Sequence, residues 1–169
     1  MGERRNQSTF YRSRTERLKA KILITGGAGF IGMQLARYLV RVGYRVHIVD
    51  NFHRGRRDRE FEVTVKENGI TYSDIDLRDS GALNLLDNDF QAIFHLAAIV
   101  GVKNVIKRPY RVLWDNLLLL KNVIDLANNQ PSLSRFLFSS TSEVYAGTLQ
   151  NFGMTIPTNE NTPLSILPM

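Results

Sequence analysis

The sequence contains no cysteine, and this absence excludes several kinds of chemistry. Without thiols the chain can form no disulfide, no thiolate metal site and no cysteine nucleophile. The sequence also lacks any run of about 18 apolar residues, the length that crosses a bilayer, and its first residues include no apolar signal segment. We therefore expect a cytoplasmic protein with no membrane partner.

The net charge of +6 is unevenly distributed. Residues 1–21 carry seven basic and two acidic side chains, so +5 of that charge lies before or at the first residue of the first predicted strand. We interpret residues 1–20 as a basic tail, a solvated and poorly ordered extension with helical turns around 15–20. Nucleic acid or anionic lipid binding and organellar targeting are the alternatives for this tail. The remainder is almost neutral, so we do not expect nucleic acid to be a partner of the domain.

From residue 21 onwards, short β-rich runs alternate with segments of helical periodicity. The predicted strands are Lys21–Thr25, Arg45–Val49, Ile70–Ile75, Ala92–Leu96 and Arg135–Ser139. The predicted helices are Phe30–Val42, Asp58–Asn68, Asp79–Asp87 with Asp79 as N-cap, and Tyr110–Asn128. Strands joined by crossover helices form a parallel sheet. The pattern predicts an α/β fold with a doubly wound parallel sheet of order 3-2-1-4-5.

A glycine-rich turn separates the first predicted strand from the first predicted helix. Gly26 allows a tight turn, Gly29 lets the backbone come close to a pyrophosphate, and Gly32 lets helix and strand pack closely. The helix that follows offers free N–H groups and a positive dipole end to phosphates. Strand, turn and helix occur in the required order, so the sequence predicts a Rossmann-type dinucleotide site.

An acidic residue ends the second predicted strand. Asp50 can accept hydrogen bonds from the adenosine ribose hydroxyls and repels a 2′-phosphate, which favours NAD over NADP. Four arginines follow closely. They could contact a 2′-phosphate, which would favour NADP, or they could form a solvated basic loop and helix face, and we prefer the second interpretation. The four arginines are Arg54, Arg56, Arg57 and Arg59.

Several short motifs occur together between residues 21 and 146. They are TGGAGFIG (25–32), DNFHRG (50–55), DIDLRD (74–79), HLAA (95–98), Asn116 in the long predicted helix, and SSTSEVYA (139–146). In this order and spacing the sequence resembles the extended short-chain dehydrogenase/reductase family, the group of NAD-dependent epimerases, dehydratases and decarboxylases that act on nucleotide sugars. The resemblance implies NAD as cofactor and a nucleotide sugar as substrate.

The resemblance also implies roles for single residues around the cofactor. Phe30 and Ile31 would contact the pyrophosphate, and Asn51 would join Asp50 at the adenosine ribose. The other implied cofactor residues are Asp76 and Leu77 beside the adenine, Leu96, Ala97 and Ala98 on the path to the nicotinamide ribose, Asn116 bracing the backbone near the cofactor, and Ser139. Simpler readings stay open for some: Asp76 ends a strand, and Ala97 and Ala98 pack in the core. His47, His53 and His95 lack metal-ligand spacing, and we interpret them as structural or solvent-facing.

By the same resemblance, two residues near the end of the motif series are catalytic. Thr141 takes the place of the hydroxyl that hydrogen-bonds the sugar oxygen undergoing oxidation. Glu143 corresponds to an acidic position of the dehydratase and decarboxylase branches, where a carboxylate can act as general acid or base. The alternative is that Glu143 holds a loop in place.

The family's Tyr-x-x-x-Lys pair is absent, because no tyrosine of this sequence has a lysine four residues later. We predict that residues 21–146 form an incomplete NAD-binding domain and that residues 147–169 form a loop leading towards the absent C-terminal part. Alone, such a portion is expected to be inactive and marginally stable, with an exposed fifth strand that favours a homodimer or a complementing chain. The alternatives are a non-catalytic dinucleotide-binding regulatory module and an interaction protein that uses the basic tail.

Overall fold

The computed structural model describes residues 20–165. The predicted basic tail therefore lies outside the described residues, apart from Ala20. The described residues fall into two compact units, divided between Phe138 and Ser139. This division comes before the predicted domain boundary at residue 146.

The first unit is built on a five-stranded parallel sheet whose order, β3-β2-β1-β4-β5, confirms the prediction. Each strand starts or ends within two residues of its predicted position. The strands are β1 (Lys21–Thr25), β2 (Arg45–Asp50), β3 (Thr71–Asp74), β4 (Phe90–His95) and β5 (Arg135–Phe138).

The central strand β1 supplies both halves of the hydrophobic core, because successive side chains of a strand point to opposite faces. Leu23 packs on one face with Val49 and Ile93. Ile22 and Ile24 pack on the other face, where Val46 and Ile48 of β2 join them. A strand that is buried on both faces reads as a continuous apolar run, which is why KILIT was recognisable.

Five helices connect the strands or flank them. They are α1 (Phe30–Arg41), α2 (Arg59–Glu67), α3 (Ser80–Leu83), α4 (Val102–Lys107) and α5 (Pro109–Asn128). The predicted N-cap at Asp79 is confirmed, because its carboxylate accepts hydrogen bonds from the backbone N–H groups of Gly81 and Ala82. Helix α3 is shorter than predicted, and α4 was not predicted. No helix of the described part of the chain is long and apolar enough to span a membrane.

The second unit corrects the prediction that the chain is loop beyond Tyr145. A 3₁₀ turn spans Ser142–Tyr145 and leads directly into helix α6 (Ala146–Phe152). The hydroxyl of Thr148 is buried, donates to the carbonyl of Pro163 at 2.6 Å and accepts from the N–H of Ser165 at 3.0 Å. These tertiary bonds hold a helix that Gly, Thr and Asn content disfavours, so local propensity was the wrong guide.

Candidate cofactor site

The glycine turn lies where the connections from β1 and β4 diverge, at the carboxyl edge of the sheet. In doubly wound sheets this switch point leaves a crevice in which ligands bind. The backbone N–H of Gly26 donates to the carbonyl of Val49 at 2.8 Å, and the N–H of Leu96 donates to the carbonyl of Thr25 at 3.1 Å. The turn is therefore fixed to the strands on both sides.

Two of the turn glycines are required by the protein's own packing. A Cβ at Gly32 would lie 2.5 Å from the carbonyl oxygen of Gly26 and 2.6 Å from the Cα of Gly27. Gly26 has φ of +68°, and a Cβ there would lie 2.8 Å from the backbone nitrogen of Ala97. These contacts are shorter than a folded chain tolerates, so neither position accepts a side chain without a backbone shift.

Gly29 is different, because a Cβ there would meet much less of the folded chain than at Gly26 or Gly32. Its φ of −74° suits any residue, and a Cβ would meet one atom within 4 Å, the carbonyl oxygen of Gly26 at 3.2 Å. The absence of a side chain here therefore leaves the backbone open to an approaching group. This is the cradle that a pyrophosphate needs at a helix N-terminus.

The first turn of α1 presents apolar side chains to the outside. Phe30 is 86% exposed and Ile31 is 70% exposed, although both are large and hydrophobic. No acidic residue lies in this first helical turn, so the positive end of the helix dipole is not offset by a local carboxylate. The arrangement suits an anionic ligand with apolar contacts on one side.

Asp50 lies at the mouth of the turn and is partly buried. Its Oδ2 accepts from the N–H of Ala28 at 3.1 Å, and its Oδ1 accepts from the N–H of Phe52 at 2.8 Å. A carboxylate has about four acceptor positions, so two are left for ribose hydroxyls. The neighbouring Asn51 is exposed and reaches the carboxylate of Asp76 at 3.4 Å.

The loop after β2 folds back onto the glycine turn. Gly55 packs so closely on Ala28 that a Cβ would lie 2.8 Å from the Ala28 Cβ. Phe52 has φ of +53°, a left-handed conformation rare for an aromatic residue. Its ring packs edge-on against Phe61 and Tyr72, with centroid distances of 5.2 and 6.0 Å, which holds this strained conformation.

An ion-pair network holds the segment that follows β3. Arg78 pairs with Asp76 at 2.6 Å and with Asp115 of α5 at 3.1 Å, and Arg111 also donates to Asp115 at 3.0 Å. The hydrogen bonds from Arg78 lower the pKa of Asp76 to about 2. Asn122 adds hydrogen bonds from its amide to the carbonyls of Leu77 and Arg78.

On the other side of the turn, the segment after β4 is braced by Asn116. Its side-chain Oδ1 accepts from the N–H of Ile99 at 2.8 Å, and its Nδ2 donates to the carbonyl of Ile99 at 3.0 Å. The structure therefore shows an amide committed to the backbone just beyond Ala97 and Ala98. Leu96 and Ala97 are partly buried, and Ala98 is exposed. Leu77, in contrast, is buried in the core at 4% exposure.

The sequence interpretation missed a hydrogen bond directly beneath the turn. The hydroxyl of Thr25 and Nδ1 of His95 are 2.7 Å apart, and both residues are buried. Burial lowers the pKa of His95 to about 4, and its ring stacks on Phe138. A polar residue at the end of each of two apolar strands was the available signal. His47 is likewise bonded, to Thr71 and Ser73, whereas His53 is exposed.

The remaining predicted residues belong to the second unit. Ser139 and Glu143 are exposed, and the Thr141 hydroxyl caps the 3₁₀ turn by accepting from the backbone N–H of Glu143 at 3.3 Å. Within residues 20–165, no three His, Asp or Glu side chains are grouped as metal ligands.

The doubly wound sheet and the glycine turn at its carboxyl edge define the class of nucleotide-binding α/β proteins. The chain belongs to the NAD dependent epimerase/dehydratase family, whose model matches residues 22–167.

Relatives act on nucleotide sugars. The chain is 38% identical over 128 residues to a UDP-N-acetyl-α-D-glucosaminuronate decarboxylase from Bacillus cytotoxicus, which covers 76% of this chain and 38% of the relative. It is 34% identical over 131 residues to UDP-glucuronic acid decarboxylase 1 of Danio rerio, and this match covers 78% of this chain and 29% of the relative. The chain thus spans less than half the length of the relatives it matches.

Solved structures share the fold. A UDP-Glc/GlcNAc 4-epimerase from Campylobacter jejuni superposes with a TM-score of 0.74 at 26% identity, covering 88% of this chain and 44% of that one. An NAD-dependent NDP-hexosamine 5,6-dehydratase superposes with a TM-score of 0.66 at 30% identity, and the match covers 86% of this chain and 43% of that one.

Proposed function

We propose that the first unit binds NAD across the glycine turn at the carboxyl edge of the sheet. The observation that carries this proposal is the combination of an open backbone at Gly29 with the Asp50 carboxylate bonded to Ala28 in the same turn. The pyrophosphate would lie on the N–H groups of α1, beside Phe30 and Ile31. The adenosine ribose would lie at Asp50 and Asn51, with the adenine beside Asp76 and Leu77.

The free acceptor positions of Asp50 favour NAD over NADP. A ribose diol donates hydrogen bonds to a carboxylate, whereas a 2′-phosphate carries charge of the same sign. Leu96, Ala97 and Ala98 would line the path to the nicotinamide ribose, with Asn116 fixing the backbone beyond them.

The reaction we propose for the enzyme of which this chain forms the cofactor-binding part is the transient oxidation of a hydroxyl on a nucleotide sugar. The base that takes up the hydroxyl proton, which the family resemblance assigns to a Tyr-x-x-x-Lys pair, is not in this sequence. NAD, when bound, supplies the hydride acceptor and returns the hydride after the sugar has been changed. Thr141 would donate a hydrogen bond to the sugar oxygen that is oxidised, and Glu143 would serve as general acid or base. The carboxylate at Glu143 and the similarity to the decarboxylases support a decarboxylase or dehydratase over an epimerase.

Substituting Gly29 tests the cofactor site without a large effect on folding. A Cβ there would meet a single atom, the Gly26 carbonyl oxygen at 3.2 Å, and a small shift of that carbonyl accommodates it, so Gly29→Ala should lower the thermal transition only slightly. The added Cβ would occupy the space of the pyrophosphate, and NAD affinity in calorimetric titrations of the full chain should fall at least about tenfold. Gly32→Ala should instead destabilise the fold, because its Cβ collides with backbone.

Gly81→Ala is the matched control, because its Cβ would also meet a single oxygen at 3.2 Å, that of Asp79, outside the glycine turn. Its NAD affinity should equal that of the unsubstituted chain. Equal affinity in Gly29→Ala, or no NAD binding by the unsubstituted chain, would reject the proposed site.

A further inference from the structure

One of the four arginines that follow Asp50 is held by a carboxylate on helix α2. The Nε of Arg57 donates to Glu62 Oε1 at 2.8 Å. The hydroxyl of Tyr72 donates to the same oxygen at 3.1 Å, and the Arg57 guanidinium lies over the Tyr72 ring, 5.2 Å from its centroid. Glu62 therefore joins the loop after β2 to strand β3.

This cluster lies beside the strand ends that form the ribose side of the proposed site. In the parallel pairing of β2 with β3, Asp50 is opposite Asp74, two residues beyond Tyr72. The Tyr72 ring also contacts Phe52, whose N–H is bonded to Asp50. Asp74 is close enough to contribute to the raised pKa of Arg57, after the larger effects of Glu62 and Tyr72.

An arginine at this place is the side chain that recognises the 2′-phosphate of NADP. Recognition needs the guanidinium donors to turn towards the ribose, and bidentate pairing gives the strongest contact. In this chain Nε of Arg57 already donates to Glu62, and the guanidinium lies over the ring of Tyr72. These contacts occupy the Nε donor and one face of the guanidinium on the side of α2 and β3.

We propose that Glu62 is a positioning residue for cofactor selection: it holds Arg57 away from the ribose and so prevents recognition of a 2′-phosphate. This inference rests on the proposed NAD site. Asp50 excludes the phosphate by its charge, and Glu62 adds a second exclusion by withholding the nearby cation.

Two small nucleotides that differ by one phosphate isolate the effect. The full chain is titrated with 5′-AMP and with 2′,5′-ADP, which carries an added 2′-phosphate on the same adenosine. In Glu62→Ala, Arg57 is released, and the affinity for 2′,5′-ADP should rise about five- to tenfold relative to 5′-AMP. NAD and NADP should show the same change in ratio.

Glu60→Ala is the matched control, because Glu60 is exposed and lies in the same first turn of α2. Its substitution removes the same charge as Glu62→Ala. Its ratio of affinities should equal that of the unsubstituted chain. The double variant Arg57→Ala, Glu62→Ala should lose the gain, because the released guanidinium is then absent.

The outcomes separate this inference from the function on which it rests. If the unsubstituted chain binds neither 5′-AMP nor NAD, both the proposed function and the inference fail. If it binds NAD but Glu62→Ala leaves the ratio unchanged, or Glu60→Ala raises it equally, or the double variant keeps the gain, the inference alone is overturned.

Discussion

The hydroxyl of Thr25 lies 2.7 Å from Nδ1 of His95, joining the ends of β1 and β4 directly beneath the glycine turn. The N–H of Ala97 points to the same hydroxyl oxygen at 3.4 Å. In the neutral tautomer that has its proton on Nε2, Nδ1 accepts the hydroxyl proton of Thr25. Protonation of Nδ1 would remove this acceptor.

The first prediction concerns the titration of His95. Burial lowers its pKa to about 4 from a usual 6.5, so the unfolded chain takes up a proton before the folded chain does. The stability associated with neutral His95 is present above pH 6.5 and is lost as the pH falls from there towards 4. NMR titration of the ring should give the lowered pKa directly.

The control is the variant His95→Gln, which lacks the titrating group. The loss of unfolding free energy between pH 6.5 and 4 should be smaller in this variant than in the unsubstituted chain. A ring of His95 that titrates near 6.5 would contradict its buried hydrogen-bonded position.

The second prediction concerns the two hydrogen bonds between Asn116 and the backbone of Ile99. In Asn116→Leu both are lost at similar side-chain size, and the free energy of unfolding should fall by about 2 kcal/mol, at about 1 kcal/mol for each bond. Because the braced segment follows Ala97 and Ala98, NAD affinity should fall as well. Urea unfolding and calorimetric titration measure the two effects.

Asn128→Leu provides the comparison, since Asn128 is an exposed residue at the end of the same helix. It should change stability by no more than about 0.5 kcal/mol. Similar losses in both variants would show that the Asn116 bonds have no special weight.

The third prediction concerns Arg78, which joins Asp76 to Asp115. Arg78→Gln should raise the pKa of Asp76 from about 2 towards its ordinary 3.8, because hydrogen bonds from Arg78 are the main cause of the lowering. In the unsubstituted chain, the stability from ionised Asp76 is present above pH 3.8 and is lost as the pH falls towards 2. Carboxyl carbon NMR measures this pKa.

Lys121→Gln is the matched change, since it breaks the exposed pair of Lys121 with Asp125, 2.6 Å apart on the same helix α5. It should leave the pKa of Asp76 where it was. An unchanged Asp76 pKa in Arg78→Gln would mean that the pairing seen in the structure does not persist in solution.

The sheet could be predicted because its strands are buried and bounded by turn residues. KILIT and RVHIV are recognisable without a structure, and the glycines between strand and helix place the turn. Not every strand end could be predicted: β4 begins at Phe90, two residues before its predicted start, because Phe90 directly follows the polar, loop-like stretch 87–89.

Two helices escaped the sequence interpretation for different reasons. Helix α4 has only six residues between Gly101 and Arg108, too few for helical periodicity to be recognised. Helix α6 depends on the buried Thr148 hydroxyl and its bonds to residues 163 and 165, which lie outside any local window. Tertiary contacts, and not propensity, decide the second case.

The members of the candidate site could be proposed from motifs, but their partners could not. The pairing of Arg78 with Asp115 joins residues 37 positions apart, and that of Thr25 with His95 joins residues 70 positions apart. A single sequence marks polar residues at the ends of apolar strands, such as Thr25 and His95, but does not show which residues pair. The bond between Arg57 and Glu62 is closer in the chain, yet whether the arginine faces Glu62 or the ribose depends on Tyr72 of another strand.

The left-handed backbone of Phe52 has a consequence for the thermodynamics of binding. Among the described residues it is the one non-glycine with positive φ, and glycine there would relax the backbone but remove the two aromatic contacts of Phe52, with Phe61 and Tyr72. The backbone strain at Phe52 costs about 1 kcal/mol. This cost and the entropy lost in ordering the loop arise during folding and not during ligand binding. A ligand arriving at Asp50 then finds its hydrogen-bond acceptors already immobilised, and binding loses little conformational entropy on the adenosine side.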